Sequence, residues 1–264
     1  MINPSPESSY PPGTLRPPVE SAGSATPTHS LSRSRRNVGE PGKYWPQNTT
    51  LTIAMYEYEM DDKYVLAVKK AASHWLPHIN LKFDFVSGER GDIRIAQNPP
   101  GDGGGGGASS IGTDARNIPF WMPTMSLPMN HNDPRFEYIV IHEFGHMLGA
   151  HHAHQHPDAN IPWNRENIHA TYRGTTNPYA VQDNILPLTR SSAYDLLPYD
   201  PESVMHYAVS PDLTDGKRAH IDNWSLSDGD IAWAKKAYPA PQAAPIPPVI
   251  RHPRFRDADF DCTV

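Results

Sequence analysis

The stretch from His142 to His152 constrains this chain more than any other part of it. In Ile141-His142-Glu143-Phe144-Gly145-His146-Met147-Leu148-Gly149-Ala150-His151-His152 the first two histidines stand four apart, so a helix places both imidazoles on one face. Two ring nitrogens so placed can reach one cation at about 2.0–2.1 Å, which is half of a tetrahedral zinc site. Glu143 projects to the side of the first ligand, where its carboxylate can serve a water at the metal as general base instead of binding the metal. Gly149 permits the positive φ that ends a helix, and the sharp turn that follows lets His152 offer a third nitrogen. Zn2+ is therefore the expected cofactor, held by His142, His146 and His152 with one coordination position left open. His151, His154 and His156 compete for the third place. The glycine-to-histidine spacing favours His152, and the others are expected to be solvated or to lie outside the ligand set.

Composition narrows the rest. The 264 residues carry a formal charge of -6, and no basic face is evident, so phosphate neutralisation of a nucleic acid is not expected. A single cysteine, Cys262, excludes an internal disulfide framework and any cysteine-based zinc ribbon. No stretch approaches the roughly eighteen apolar residues of a membrane span. With 29 prolines and 18 glycines, part of the chain must be linker. Residues 1–42, rich in Pro, Ser, Thr and Gly, read as a disordered leader, and 239–264 as a Pro-rich extended tail. The folded unit is expected over 43–238, as a monomer.

Within it, Leu51, Ile53, Met55 and Tyr56 suggest a strand, and Tyr64, Val65, Val68, Ala71, Ala72 and Trp75 follow at helical spacing after Asp61-Asp62. Leu81, Phe83 and Phe85 alternate, as do Ile93 and Ile95, giving two more strands. Residues 109–112 and 124–127 are candidates for edge or closing strands. Asp133-Pro134 reads as a cap and first turn, launching a helix from Arg135 to about Leu148. After Ala150 the chain is loop-rich until Ser227-Asp228-Gly229-Asp230 opens a last helix through Ala237. The fold class is α+β, a mixed twisted sheet with two helices above a cleft and an irregular C-terminal part.

The long histidine motif resembles that of the metzincin zinc endopeptidases. Ser203-Val204-Met205-His206-Tyr207 supplies the methionine turn of that group, and its S-x-M-x-Y pattern is similar to the astacin branch. Trp45-Pro46, Pro157-Asp158, Trp163, Asn167-Ile168, Tyr194-Asp195, Leu226-Ser227 and Asp230-Ile231 extend the likeness over about 44–238. The resemblance implies a zincin fold and hydrolysis of a protein or peptide bound in extended form. It also implies that Tyr207 is a further, displaceable zinc ligand able to donate to the developing oxyanion, and that Met205 forms an apolar base under the histidines. Two departures stand out. Astacins carry glutamate after the third histidine, where this chain has Ala153, and they are usually disulfide-bonded. The absence of a Sec-type leader and of disulfides suggests secretion, or delivery to a target cell, by a non-Sec route, with a cytoplasmic location as the alternative.

Other features read two ways. Residues 32–36, with Arg33, Arg35 and Arg36, are a maturation site or a merely soluble charge run, and 102–107 is a loop at the cleft rim and not a phosphate loop. Cys262 is a free tail thiol in preference to an inhibitory metal ligand. Two rivals to the enzyme remain: a silent zinc-stabilised binding module, and an effector acting through its Pro-rich tails.

Overall fold

A computed structural model describes residues 37–97, 106–171, 180–214, 216 and 220–241. Its main sheet is built from β2 (Thr50–Met55), β3 (Lys82–Ser87), β4 (Ile93–Gln97), β5 (Ala108–Ser109) and β6 (Met125–Leu127), in the order β3-β2-β4-β6-β5. The first four neighbours run parallel, and β5 closes the edge antiparallel to β6, with Ala108 opposite Ser126. A crossover is needed between parallel strands, and α1 (Lys63–Ala72) supplies it between β2 and β3. Asp62 caps α1 by accepting from Tyr64 N at 2.7 Å, and its apolar stripe buries Tyr64, Val65, Val68, Ala71 and Ala72.

The second helix, α2 (Phe136–Met147), carries the histidine motif and is buried on nearly every side, between the sheet, α1 and the C-terminal segments. Its entry differs from expectation. Asp133 accepts from Arg135 N at 2.8 Å and so shapes the turn before the helix, while Arg135 takes the cap position with no side-chain cap. The last helix, α5 (Asp228–Ala237), starts on a reciprocal capping box between Ser227 and Asp230.

The composition-based boundary at 42 is too late. Asn37 and Val38 are buried, and β1 (Val38–Gly39) pairs antiparallel with β7 (Asp195–Leu196). A two-residue strand is too short for any periodic signal. Nor is the second half only loop. It adds α3 (Arg165–Thr171) and α4 (Ala180–Asn184), and Ile168, Val181, Ile185, Leu186 and Leu213 form a small core with Tyr207. The 1–36 and 242–264 segments, with the arginines of 33–36 and Cys262, and most of the glycine run lie outside the described residues. Among the described residues no helix is long and apolar enough to cross a membrane.

Two aromatic side chains fix where α2 ends. Trp45 Nε1 donates to Met147 O at 2.8 Å and the Tyr238 hydroxyl to Leu148 O at 2.7 Å, satisfying carbonyls that a helix terminus leaves unpaired. Trp75 Nε1 donates to Ile141 O at 2.9 Å and packs edge-on against Trp233 at 5.9 Å. These rings hold the middle and the end of α2 against the core.

Candidate metal centre

His142 and His146 lie one turn apart on α2, their rings 4.8 Å apart. After them Gly149 adopts φ +100, Gly149 N donates to His146 O at 2.8 Å and Ala150 N to Gly145 O at 3.0 Å. This is the paired 5→2 and 6→1 ending that glycine makes cheap. A Cβ at Gly149 would also lie 2.7 Å from the Tyr44 ring, so both conformation and space exclude a larger residue. The reversed chain is then held by Glu40 N to Gly149 O at 3.1 Å and His151 N to Val38 O at 2.9 Å. It brings the His152 ring to 4.5 Å from His146 and 5.3 Å from His142.

One nitrogen from each of His142, His146 and His152 lies within 4.8 Å of the others, and all three residues are buried. The opposite nitrogen of each ring is engaged. His142 Nδ1 donates to Val204 O at 2.8 Å, His146 Nδ1 to Ala150 O at 2.8 Å and His152 Nδ1 to Gln155 Oε1 at 3.2 Å. Fixing the proton on Nδ1 leaves each Nε2 lone pair for a cation. His146 Nε2 and His152 Nε2 are 3.0 Å apart, near the roughly 3.4 Å edge of a tetrahedron with 2.1 Å bonds. His142 Nε2 and Glu143 Oε2 are buried and have no hydrogen-bond partner among the described residues. A buried orphan pair of that kind is costly unless a ligand completes it, and three imidazoles beside a carboxylate fit zinc.

Electrostatics agree with the donor set. Burial holds His142 down at about 4, and burial with the neighbouring imidazoles holds His146 and His152 far below the ordinary histidine range. All three are therefore neutral, the form that binds metal. Burial pushes the Glu143 carboxyl well above its usual range.

Tyr207 packs its ring on His152 at 4.0 Å and on His142 at 5.5 Å, which puts it beside the triad. Met205 is fully buried, and its sulfur occupies the space that a side chain at Gly145 would need. Of the two places expected for the neighbouring histidines, solvent or the surroundings of the triad, His151, His154 and His156 take the second. His154 is buried, donates Nε2 to Asn184 O at 2.8 Å and accepts from Tyr207 N at 3.3 Å. His151 pairs with Glu40 at 2.8 Å, and His156 Nε2 donates to Leu197 O at 2.6 Å.

Sequence reasoning missed the supports of the site. Buried Asp230 accepts from Val204 N and from Ser203 Oγ at 2.8 and 2.7 Å, from Ser227 N at 2.8 Å and from Asn37 Nδ2, tying the 203–207 turn to α5 and to the start of the described chain. Gln155 carries no motif that marks it, and the Val204 and Ala150 carbonyls have no side-chain signature at all. Gly107, the end of the glycine run, has its backbone against the general-base candidate: a Cβ there would be 2.7 Å from Glu143 Oε1.

This fold and this donor set define a metzincin-type centre, three buried histidines able to hold zinc beside a glutamate. The chain matches the model of the astacin peptidase family over residues 37–218, and it belongs to that family. Myroilysin, a solved structure, is 30% identical with a TM-score of 0.67, over 77% of this chain and 99% of that one. Bone morphogenetic protein 1 of Xenopus laevis is 26% identical over 231 residues, 78% of this chain and 28% of that protein. Tolloid-like protein 1 of Mus musculus is 30% identical over 188 residues, 66% of this chain and 17% of that protein. The chain thus spans less than a third of the length of these two curated relatives.

Proposed function

We propose that this chain cleaves internal peptide bonds of a protein or peptide laid in extended form along the free edge of β5. The observation that carries the reading is the convergence of three neutral imidazole nitrogens beside the unpartnered Glu143 Oε2. Zinc held by His142, His146 and His152 supplies Lewis-acid activation of a water and of the scissile carbonyl. Glu143 takes the proton of the attacking water and returns it to the departing amine. A carboxyl whose proton affinity is raised by burial suits both halves of that transfer. Tyr207, packed against His142 and His152, would be a further ligand to bound zinc, and its phenol would donate to the oxygen of the scissile carbonyl as charge develops there. Among the described residues β5 pairs on one side only, with β6, so its other side offers backbone groups to an extended substrate. Ser110 N donates to Thr124 O in this register, which turns the backbone groups of Ser109 away from β6 and makes Ser109 the residue that would do this. Met205, wedged under Gly145, keeps the helix and the 203–207 turn in register.

We further propose that the protein acts outside the producing cell, a reading that rests on the family resemblance and is tested by fractionating a producing culture. The catalytic proposal is tested with the full chain and its Glu143→Ala variant, zinc content measured in both, on an unfolded protein substrate. Turnover by the wild type and a loss of roughly 100-fold or more in the zinc-loaded variant is expected. Equal turnover, or none by a zinc-loaded wild type, overturns it.

A further inference from the structure

The metal face of α2 does not stop at His142. Tyr138 precedes it by four residues and so continues the same stripe, its ring edge-on to His142 at 5.9 Å. Over Tyr138 lies Trp224, nearly parallel at 15° and 6.5 Å between ring centroids. Tyr138 is covered, but the indole is 51% exposed, and Ile221 on the same short segment is 76% exposed. Single exposed apolar side chains are ordinary. A Trp and an Ile three residues apart, two ring contacts from a metal ligand, are not scattered singles.

The segment that presents them is anchored to the strand of chain beneath the triad. Val209 and His220 exchange backbone bonds at 2.9 and 3.0 Å, Ala208 N donates to Asp222 Oδ1 at 2.8 Å, and Asn223 Nδ2 donates to Pro201 O at 2.9 Å. Residues beside the indole are therefore fixed to 201–209, and the exposed ring is presented in place at little further ordering cost. The carboxylate on the same segment is already used: Asp222 accepts from Ala208 N and from the Tyr138 phenol, and Arg135 adds positive charge beside it. Among the described residues the large exposed side chains of this segment, Ile221 and Trp224, are thus apolar, while Asp222 is turned inward to Ala208 N and Tyr138.

We infer that Trp224, seated on Tyr138, is a specificity-determining shelf that receives an aromatic or large aliphatic side chain of the substrate. An extended chain advances about 3.3 Å per residue, so the residue reaching the shelf lies within about three positions of the cut. This rests on the endopeptidase reading above.

The test is cleavage profiling of a peptide library made from a digested proteome, using the zinc-loaded full chain and its Trp224→Ala and Trp224→Phe variants. Melting temperature and zinc content are checked for each. The wild type should enrich Phe, Tyr, Trp, Leu or Met at one position near the cut. Two peptides differing only by Phe or Ala at that position should then show a kcat/KM ratio that falls by about tenfold in Trp224→Ala and recovers in Trp224→Phe. An unchanged profile in a folded, zinc-loaded, active Trp224→Ala, or enrichment of Lys and Arg at that position, overturns the shelf alone. No cleavage of any peptide by the wild type overturns the endopeptidase reading and the shelf with it.

Discussion

His142 donates Nδ1–H to the carbonyl of Val204 at 2.8 Å, so the first histidine of the helix is oriented by the turn that carries Met205. Val204 is itself held through its own N–H by buried Asp230. One carboxylate therefore positions an imidazole it never touches. Asp230→Ala leaves the Val204, Ser227 and Ser203 donors without their acceptor. A loss of about 3 kcal/mol in urea unfolding is expected, since bonds to a charged acceptor count for more than neutral ones, together with roughly tenfold weaker zinc binding by chelator competition.

Gly107→Ala should separate zinc binding from catalysis. The new methyl falls 2.7 Å from Glu143 Oε1, so the carboxylate must move while the three imidazoles stay. Zinc content should remain stoichiometric and kcat should drop about tenfold or more. Full activity with full zinc would show that Glu143 has room to spare.

Among the described residues Gln155 is the side chain that orients a histidine of the triad, through His152 Nδ1 at 3.2 Å, while its amide donates to Leu186 O at 3.0 Å. Gln155→Leu keeps bulk and removes the acceptor. Zinc affinity should fall about tenfold, and an affinity equal to wild type would assign Gln155 to packing alone.

Gly145→Ala is a packing test of the same region. The added methyl meets Met205 Sδ and lies 3.2 Å from the Trp75 ring, so a cost of about 1–3 kcal/mol is expected from overpacking. Combining it with Met205→Ala should return part of that loss, because the two changes share one space.

In the zinc-free protein, acid should act through the buried histidines. Burial keeps His142 at about 4 and His154 at about 3, against an ordinary 6.5. Between 6.5 and about 4 the unfolded chain binds protons that the folded chain does not, so stability falls as pH falls through that window. Urea midpoints of chelator-treated protein should decline from about pH 7 to about pH 5, and zinc should raise the midpoint at about pH 7. A midpoint flat over that range would contradict the burial of these rings.

Much of this protein was legible in the order of its residues. The three-histidine spacing carried its chemistry because helical periodicity and the φ of Gly149 are local properties, and local properties survive in sequence. The strands with Leu51, Phe83 and Ile93, a helix after Asp61-Asp62 and a last helix opening at Ser227 were readable for the same reason, while the cap bond of Asp62 and the box of Ser227 and Asp230 came with the structure. Other features needed the folded chain. Val38 pairing with Leu196, Asp230 reaching Val204 and Gly107 resting on Glu143 join residues far apart in sequence. Backbone carbonyls that orient His142 and His146 are the same in every residue type. No pattern of side chains can announce them, so packing alone decided which carbonyl each imidazole would find.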